Sequence, residues 1–115
     1  MARIVLFLIM VGAGAVLIWM ANAAASGQLK RNELAGIRIP STMASEEAWL
    51  AAHVRARRVT VYAGVLSILS GAFALVPVPM PVVIIGVLVA ALGVLGFLFY
   101  GARVGSAAAK TASES

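Results

Sequence analysis

Cysteine is absent from this chain, which rules out a disulfide, a cysteine-ligated zinc and a thiol nucleophile, and leaves the redox compartment unreadable. Histidine occurs once and acidic residues only four times. A single histidine with no H-E-x-x-H spacing is a poor basis for a metal site. There is no G-x-S-x-G elbow and no Walker-type glycine loop, the usual signatures of acyl transfer and of nucleotide phosphate binding. No cofactor is expected. Charge is scarce too, at 11% of residues, against about 25% in soluble domains.

What fills the space is apolar. The chain has 115 residues and is 63% hydrophobic, which leaves room for one small domain and far too much apolar surface for it to hide from water. Three uncharged stretches stand out: 4–25 (IVLFLIMVGAGAVLIWMANAAA), 59–76 (VTVYAGVLSILSGAFALV) and 82–102 (VVIIGVLVAALGVLGFLFYGA). Helices of about 20 residues cross a hydrocarbon core of roughly 30 Å. The expected fold is therefore an all-α membrane protein with three transmembrane helices in a single domain, residues 1–115. The prolines of PVPMP, 77–81, cannot continue a helix, so they form an outer turn between the second and third spans. The tail 103–115 is small and polar and is expected to fray.

Lysine and arginine set the orientation. The loop 26–58 carries Lys30, Arg31, Arg38, Arg55, Arg57 and Arg58, the turn 77–81 none, the start Arg3, and the tail Arg103 and Lys110. Loop and tail are expected inside, N-terminus and turn outside. Trp19, Tyr62 and Tyr100 all fall near the cytoplasmic ends, where amphipathic rings favour the interface. A competing reading makes the first segment a cleaved signal peptide, because Ala21-Asn22-Ala23 fits the A-x-A pattern. Its apolar run is longer than a usual signal core, and cleavage would put the basic loop outside. Basic residues beside apolar runs mark topology and lipid contact, so no nucleic acid is expected.

Small residues recur within the spans: Gly12, Gly14 and Ala15; Ala63, Ser67 and Gly71; Gly86, Ala90 and Gly93. Such residues let helix backbones approach in lipid, and helix–helix packing is their expected use. No charge lies inside a span, which argues against a proton relay or ion pathway.

The polar stretch NELAGIRIPSTMASEEAWLAAH, 32–53, breaks this pattern. Residues 28–40 should be irregular, punctuated by Gly36 and Pro40. Ser41, Thr42 and Ser45 are good N-cap residues, and Glu46 and Glu47 suit a first helical turn. A short amphipathic helix is expected over about 45–58, with Trp49, Ala52, His53 and Ala56 on one face. Arg55, Arg57 and Arg58 then reach lipid headgroups. Ser41 or Ser45, His53 and a glutamate make a nominal triad, but they crowd one small element without a supporting scaffold. Two readings of Arg38 stand: it pairs with Glu46 or Glu47 to pin the loop, or it meets a lipid phosphate or a partner's carboxylate.

The same stretch resembles the SdpI family, small bacterial membrane proteins named for the immunity factor against a sporulation-delaying toxin. The family's signature reads N-x-x-x-G-I-R-[TI]-P-x-T-x-x-S-E-E-x-W-x-x-x-H. Here it is matched by Asn32, Gly36, Ile37, Arg38, Pro40, Thr42, Ser45, Glu46, Trp49 and His53. Ser41 departs from it, standing where many members carry an aromatic, and the immunity factor itself is a longer protein with more spans. The resemblance implies a non-enzymatic protein of the bacterial cytoplasmic membrane. Its expected partners are membrane lipids and another membrane protein, and its expected role is toxin immunity or signal relay. The alternative is a small accessory subunit of a larger respiratory or transport assembly.

Overall fold

Helices account for the described secondary structure of the computed structural model, which covers residues 1–28, 30, 32 and 36–114. They are α1 (Ala2–Ala25), α2 (Pro40–Met43), α3 (Glu46–Ala74) and α4 (Met80–Glu114). Arg31, counted above for orientation, and Ser115 lie outside the described residues.

α3 runs between the other two long helices and packs on both, while the α1 and α4 backbones stay apart. Its sequence explains the position. Ala63, Gly64, Ser67, Ser70, Gly71 and Ala74 are all buried. On the α1 side, a Cβ at Gly14 would come within 2.4 Å of the Gly64 carbonyl oxygen, so the two backbones touch there. Ser67 strengthens the same seam by donating to Met10 O at 2.6 Å. On the α4 side, Gly86 receives the Phe73 ring and Gly93 the Leu66 side chain. Small residues make these close crossings possible.

Two helices, not three, are long and apolar enough to cross a membrane: Ala2–Ala25, and Met80–Ala112 within α4. The expected middle span, 59–76, does not qualify. Arg57 and Arg58 abut its start and the helix ends at Ala74, which leaves an uncharged length of about 24 Å at 1.5 Å per residue. Its face is also built from serine and glycine for contact with protein rather than with lipid. The outer helices have the opposite character. Leu92 and Phe99 of α4 are 70% and 71% exposed, and Ile4, Leu8 and Ile9 of α1 are exposed as well.

Three boundaries also differ from the sequence reading. The boundary at 58/59 vanishes: the amphipathic helix, expected to lead into the next segment, continues into it without a break as one helix. The turn is 75–79 rather than 77–81, because Met80 and Pro81 open α4, where a proline's missing N–H costs nothing. The tail expected to fray is helical through Glu114. It is held by packing: Ala109 is buried against Ala48 and Ala52, and the hydroxyls of Ser106 and Ser41 lie 2.8 Å apart.

The molecule is 54 Å long, well beyond a hydrocarbon core of roughly 30 Å, and its two ends differ. At one end Arg3 donates from Nη1 to Val76 O at 2.8 Å and to Ala74 O at 3.5 Å, and from Nη2 to Val78 O. It thereby brings positive charge to the Ala74 carbonyl at the α3 C-terminus and to two carbonyls of the turn that follows. At the other end, residues 36–39, α2, the start of α3 and the last turns of α4 form a packed layer.

Candidate recognition site

The polar layer is organised by the first turns of α3. Ser45, in extended conformation, caps the helix by accepting from the Ala48 amide at 3.0 Å. With the start thus fixed, Trp49, Ala52, His53 and Ala56 all turn inward and are buried, while Glu46, Glu47 and Arg55 are exposed. Trp49 is only 1% exposed and its ring leans on the His53 imidazole, with centroids 4.2 Å apart and planes tilted by 35°.

His53 ties the irregular segment to the helix. Its Nε2 accepts from the Ile37 amide at 2.8 Å, so the ring proton sits on Nδ1, which donates to Trp49 O at 2.8 Å. Burial pushes the imidazole below its usual 6.5, opposed in part by the Trp49 carbonyl. The neutral ring is therefore the structural form. Gly36 is what allows the segment to come so near. Its φ is +98°, and a Cβ there would sit 2.6 Å from Trp49 Cη2 and 2.8 Å from His53 Nε2. A side chain would thus meet both a disfavoured backbone conformation and two rings.

Thr42 closes the other side. It is fully buried, and its hydroxyl lies 2.6 Å from Ile37 O, 2.9 Å from Ile39 O and 3.1 Å from the Ile39 amide. One side chain so satisfies both ends of the turn that enters α2. Pro40 supplies the first residue of α2, where its fixed φ suits a helix start. Between the two anchored points, Arg38 projects outward and is exposed. Its Nε donates to the Asn32 backbone oxygen at 3.2 Å, and Asn32 folds its amide onto Lys30 O at 2.7 Å. The loop contact of Arg38 is therefore with main chain, which fixes the stem of the guanidinium through one nitrogen.

The motif positions fall into two groups. Gly36, Ile37, Thr42, Trp49 and His53 interlock, Ser45 caps, and Pro40 starts α2. Asn32, Arg38 and Glu46 lie outside that interior, toward the surface. The residues at these spacings match a known family. The SdpI/YfhL protein family matches residues 28–101. The chain belongs to this family. The match takes in α2, all of α3 and most of α4, and leaves α1 and the last turns of α4 outside it. With two spanning-type helices, the chain is a membrane protein of the SdpI/YfhL family. No curated protein and no solved structure matches it significantly.

Sequence reasoning missed several contributors to this end of the SdpI-family chain. Asn22 accepts at 2.8 Å from Arg57 Nε and ties α1 to α3, whereas the sequence reading used it only in a cleavage pattern. A lone amide late in an apolar helix was the available signal. Gly105 brings α4 against Ala52, where a Cβ would lie 3.1 Å from the carbonyl oxygen. Below His53, an apolar cavity of about 240 Å³ lies between α1, α3 and α4, with Leu17, Met20, Thr60 and Leu98 on its walls.

Proposed function

We propose that this is a non-enzymatic membrane protein that recognises another membrane component through the layer built by residues 36–53. The observation that carries the reading is a division of labour among the motif side chains. Gly36, Thr42, Trp49 and His53 are consumed in mutual contacts, and the segment they hold presents Arg38 at the surface. Both His53 nitrogens are spent on backbone groups, an arrangement suited to holding a loop rather than to moving protons. A guanidinium already fixed at Nε suits a bidentate contact with a carboxylate or phosphate.

In this proposal α3 crosses the bilayer as the inner helix of three, shielded from lipid by α1 and α4. The N-terminus and the turn 75–79 face out, and the polar layer and C-terminus face the bacterial cytoplasm. Arg55, Arg57 and Arg58 lie at headgroup level. The narrower role is immunity to a membrane-active toxin, or relay of its presence. The broad apolar face of α4, with Leu88, Val89, Leu92 and Phe99 exposed, favours as a second reading an accessory subunit docked on a larger complex.

Deletion and mild-detergent extraction separate these. If the deletion sensitises cells to a secreted peptide, and wild type but not Arg38→Ala restores resistance, recognition and immunity are supported. A stoichiometric complex that survives Arg38→Ala favours the accessory role. A turnover lost on Ser45→Ala and His53→Ala at unchanged protein level would overturn both.

A further inference from the structure

Where α1 ends beside α3, a groove of about 750 Å³ opens at the headgroup end of the molecule. That is the scale of small-molecule sites, about 300–1,000 Å³. Trp19, Asn22, Ser26 and Gln28 line it from the α1 side, and Arg57 and Arg58 from α3, with no acidic residue among the described residues of its walls. A second groove of about 250 Å³ uses the same two arginines together with Val61 and Tyr62. The grooves thus meet at a pair of adjacent cations. Arg57 is held at Nε by Asn22 Oδ1, which fixes its plane while the terminal nitrogens, the pair that forks onto phosphate oxygens, remain for a ligand. Trp19 is 58% exposed, placing an amphipathic ring where interfaces favour one. The C-terminal end of α1 opposes an anion with about half a charge, which two full guanidinium charges outweigh.

We propose that Arg57, Arg58 and Asn22 form a binding site for the phosphate of an anionic glycerophospholipid, whose acyl chains run down the Val61 and Tyr62 face. This rests on the membrane placement proposed above and sharpens it. Arg55 lines neither groove, so the site separates it from its two neighbours although all three are exposed.

The test uses the full chain in phosphatidylcholine vesicles doped with brominated phosphatidylglycerol or, at equal level, brominated phosphatidylcholine. Trp19 fluorescence is read, with a Trp19→Phe control for buried Trp49. The anionic lipid should quench Trp19 at several-fold lower doping than the neutral one. Each of Arg57→Gln and Arg58→Gln should cut that preference about fivefold or more, Asn22→Ala should cut it at unchanged charge, and Arg55→Gln, at headgroup level but in neither groove, should cut it less than either. Millimolar inorganic phosphate should not relieve the quenching. Equal quenching by both lipids in wild type overturns the site but keeps the membrane placement, whereas no quenching by either overturns both. A preference that falls equally with Arg55→Gln, or survives Asn22→Ala, reduces the effect to generic charge and overturns the site. Relief by phosphate would show that the groove takes a free anion instead of a lipid.

Discussion

Replacing Gly36 by alanine should unlatch the polar layer. Two independent costs arise at this residue. A non-glycine residue held at φ +98° carries about 1–3 kcal/mol of backbone strain. The new methyl would also lie 2.6 Å from Trp49 Cη2, 2.8 Å from Trp49 Cζ2 and 2.8 Å from His53 Nε2, and overpacking of this kind costs about 1–3 kcal/mol. If the loop retreats to relieve the overlap, it gives up the hydrogen bond from the Ile37 amide to His53 instead, about 1 kcal/mol. The combined effect is about 3 kcal/mol, and because α1, α3 and α4 are packed elsewhere it appears as local opening. Hydrogen exchange at the Ile37 amide, measured in micelles or nanodiscs, should therefore accelerate about 100-fold or more. In a Trp49→Leu background the overlap with the indole is gone, so the increment from Gly36→Ala should shrink while the strain and the His53 contact remain. An exchange rate within about twofold of wild type would refute the argument, as would an identical increment in both backgrounds.

Other consequences can be measured separately. Gly14→Ala pushes a methyl against the Gly64 carbonyl and Ile68, so it should lower thermal stability by about 1–3 kcal/mol, whereas Gly12→Ala meets nothing within 4 Å and should not. The His53 imidazole titrates below 6.5 when folded and near 6.5 when unfolded, so the unfolded chain binds more protons in that window. Stability should be flat above about pH 6.5 and decline as pH falls toward the folded value, and His53→Gln should flatten that slope in a melting series against pH. A cysteine at Ala44 should resist membrane-impermeant thiol reagents in intact cells, while one at Val76 should react; the reverse pattern contradicts the proposed orientation.

How much of this was legible beforehand follows from the kind of signal each element carries. Hydropathy marked α1 and α4 because both present large aliphatic side chains outward, and such faces need no knowledge of the fold. The inward face of Trp49, Ala52, His53 and Ala56 was readable for the same reason, as helical spacing alone puts these residues together. α3 misled because a window of uncharged residues does not distinguish lipid-facing from protein-facing surface. Ala63, Ser67 and Gly71 are small enough to be covered by neighbours, and the helix's continuity back to Glu46 makes it longer than any apolar stretch within it. The tail misled because alanine, glycine and serine look unstructured until a partner surface exists, here Ala48, Ala52 and Ser41. The contacts that define the site are between residues far apart in pattern terms: Gly36 with two rings, Thr42 with the turn before it, Arg38 with the Asn32 main chain. Motif spacing pointed to the residues, and only geometry divided them into those that hold the loop and the one it displays.

That division is tested most directly by measuring two quantities on the same two variants, Arg38→Lys and His53→Ala: protection of the Ile37 amide, and recovery, after cross-linking and mild-detergent extraction, of the membrane partner proposed above. Arg38→Lys keeps the charge but not the fork, so the account predicts wild-type protection with the partner lost. His53→Ala should lose both together. Full partner recovery with Arg38→Lys, or undiminished Ile37 protection with His53→Ala, would contradict it.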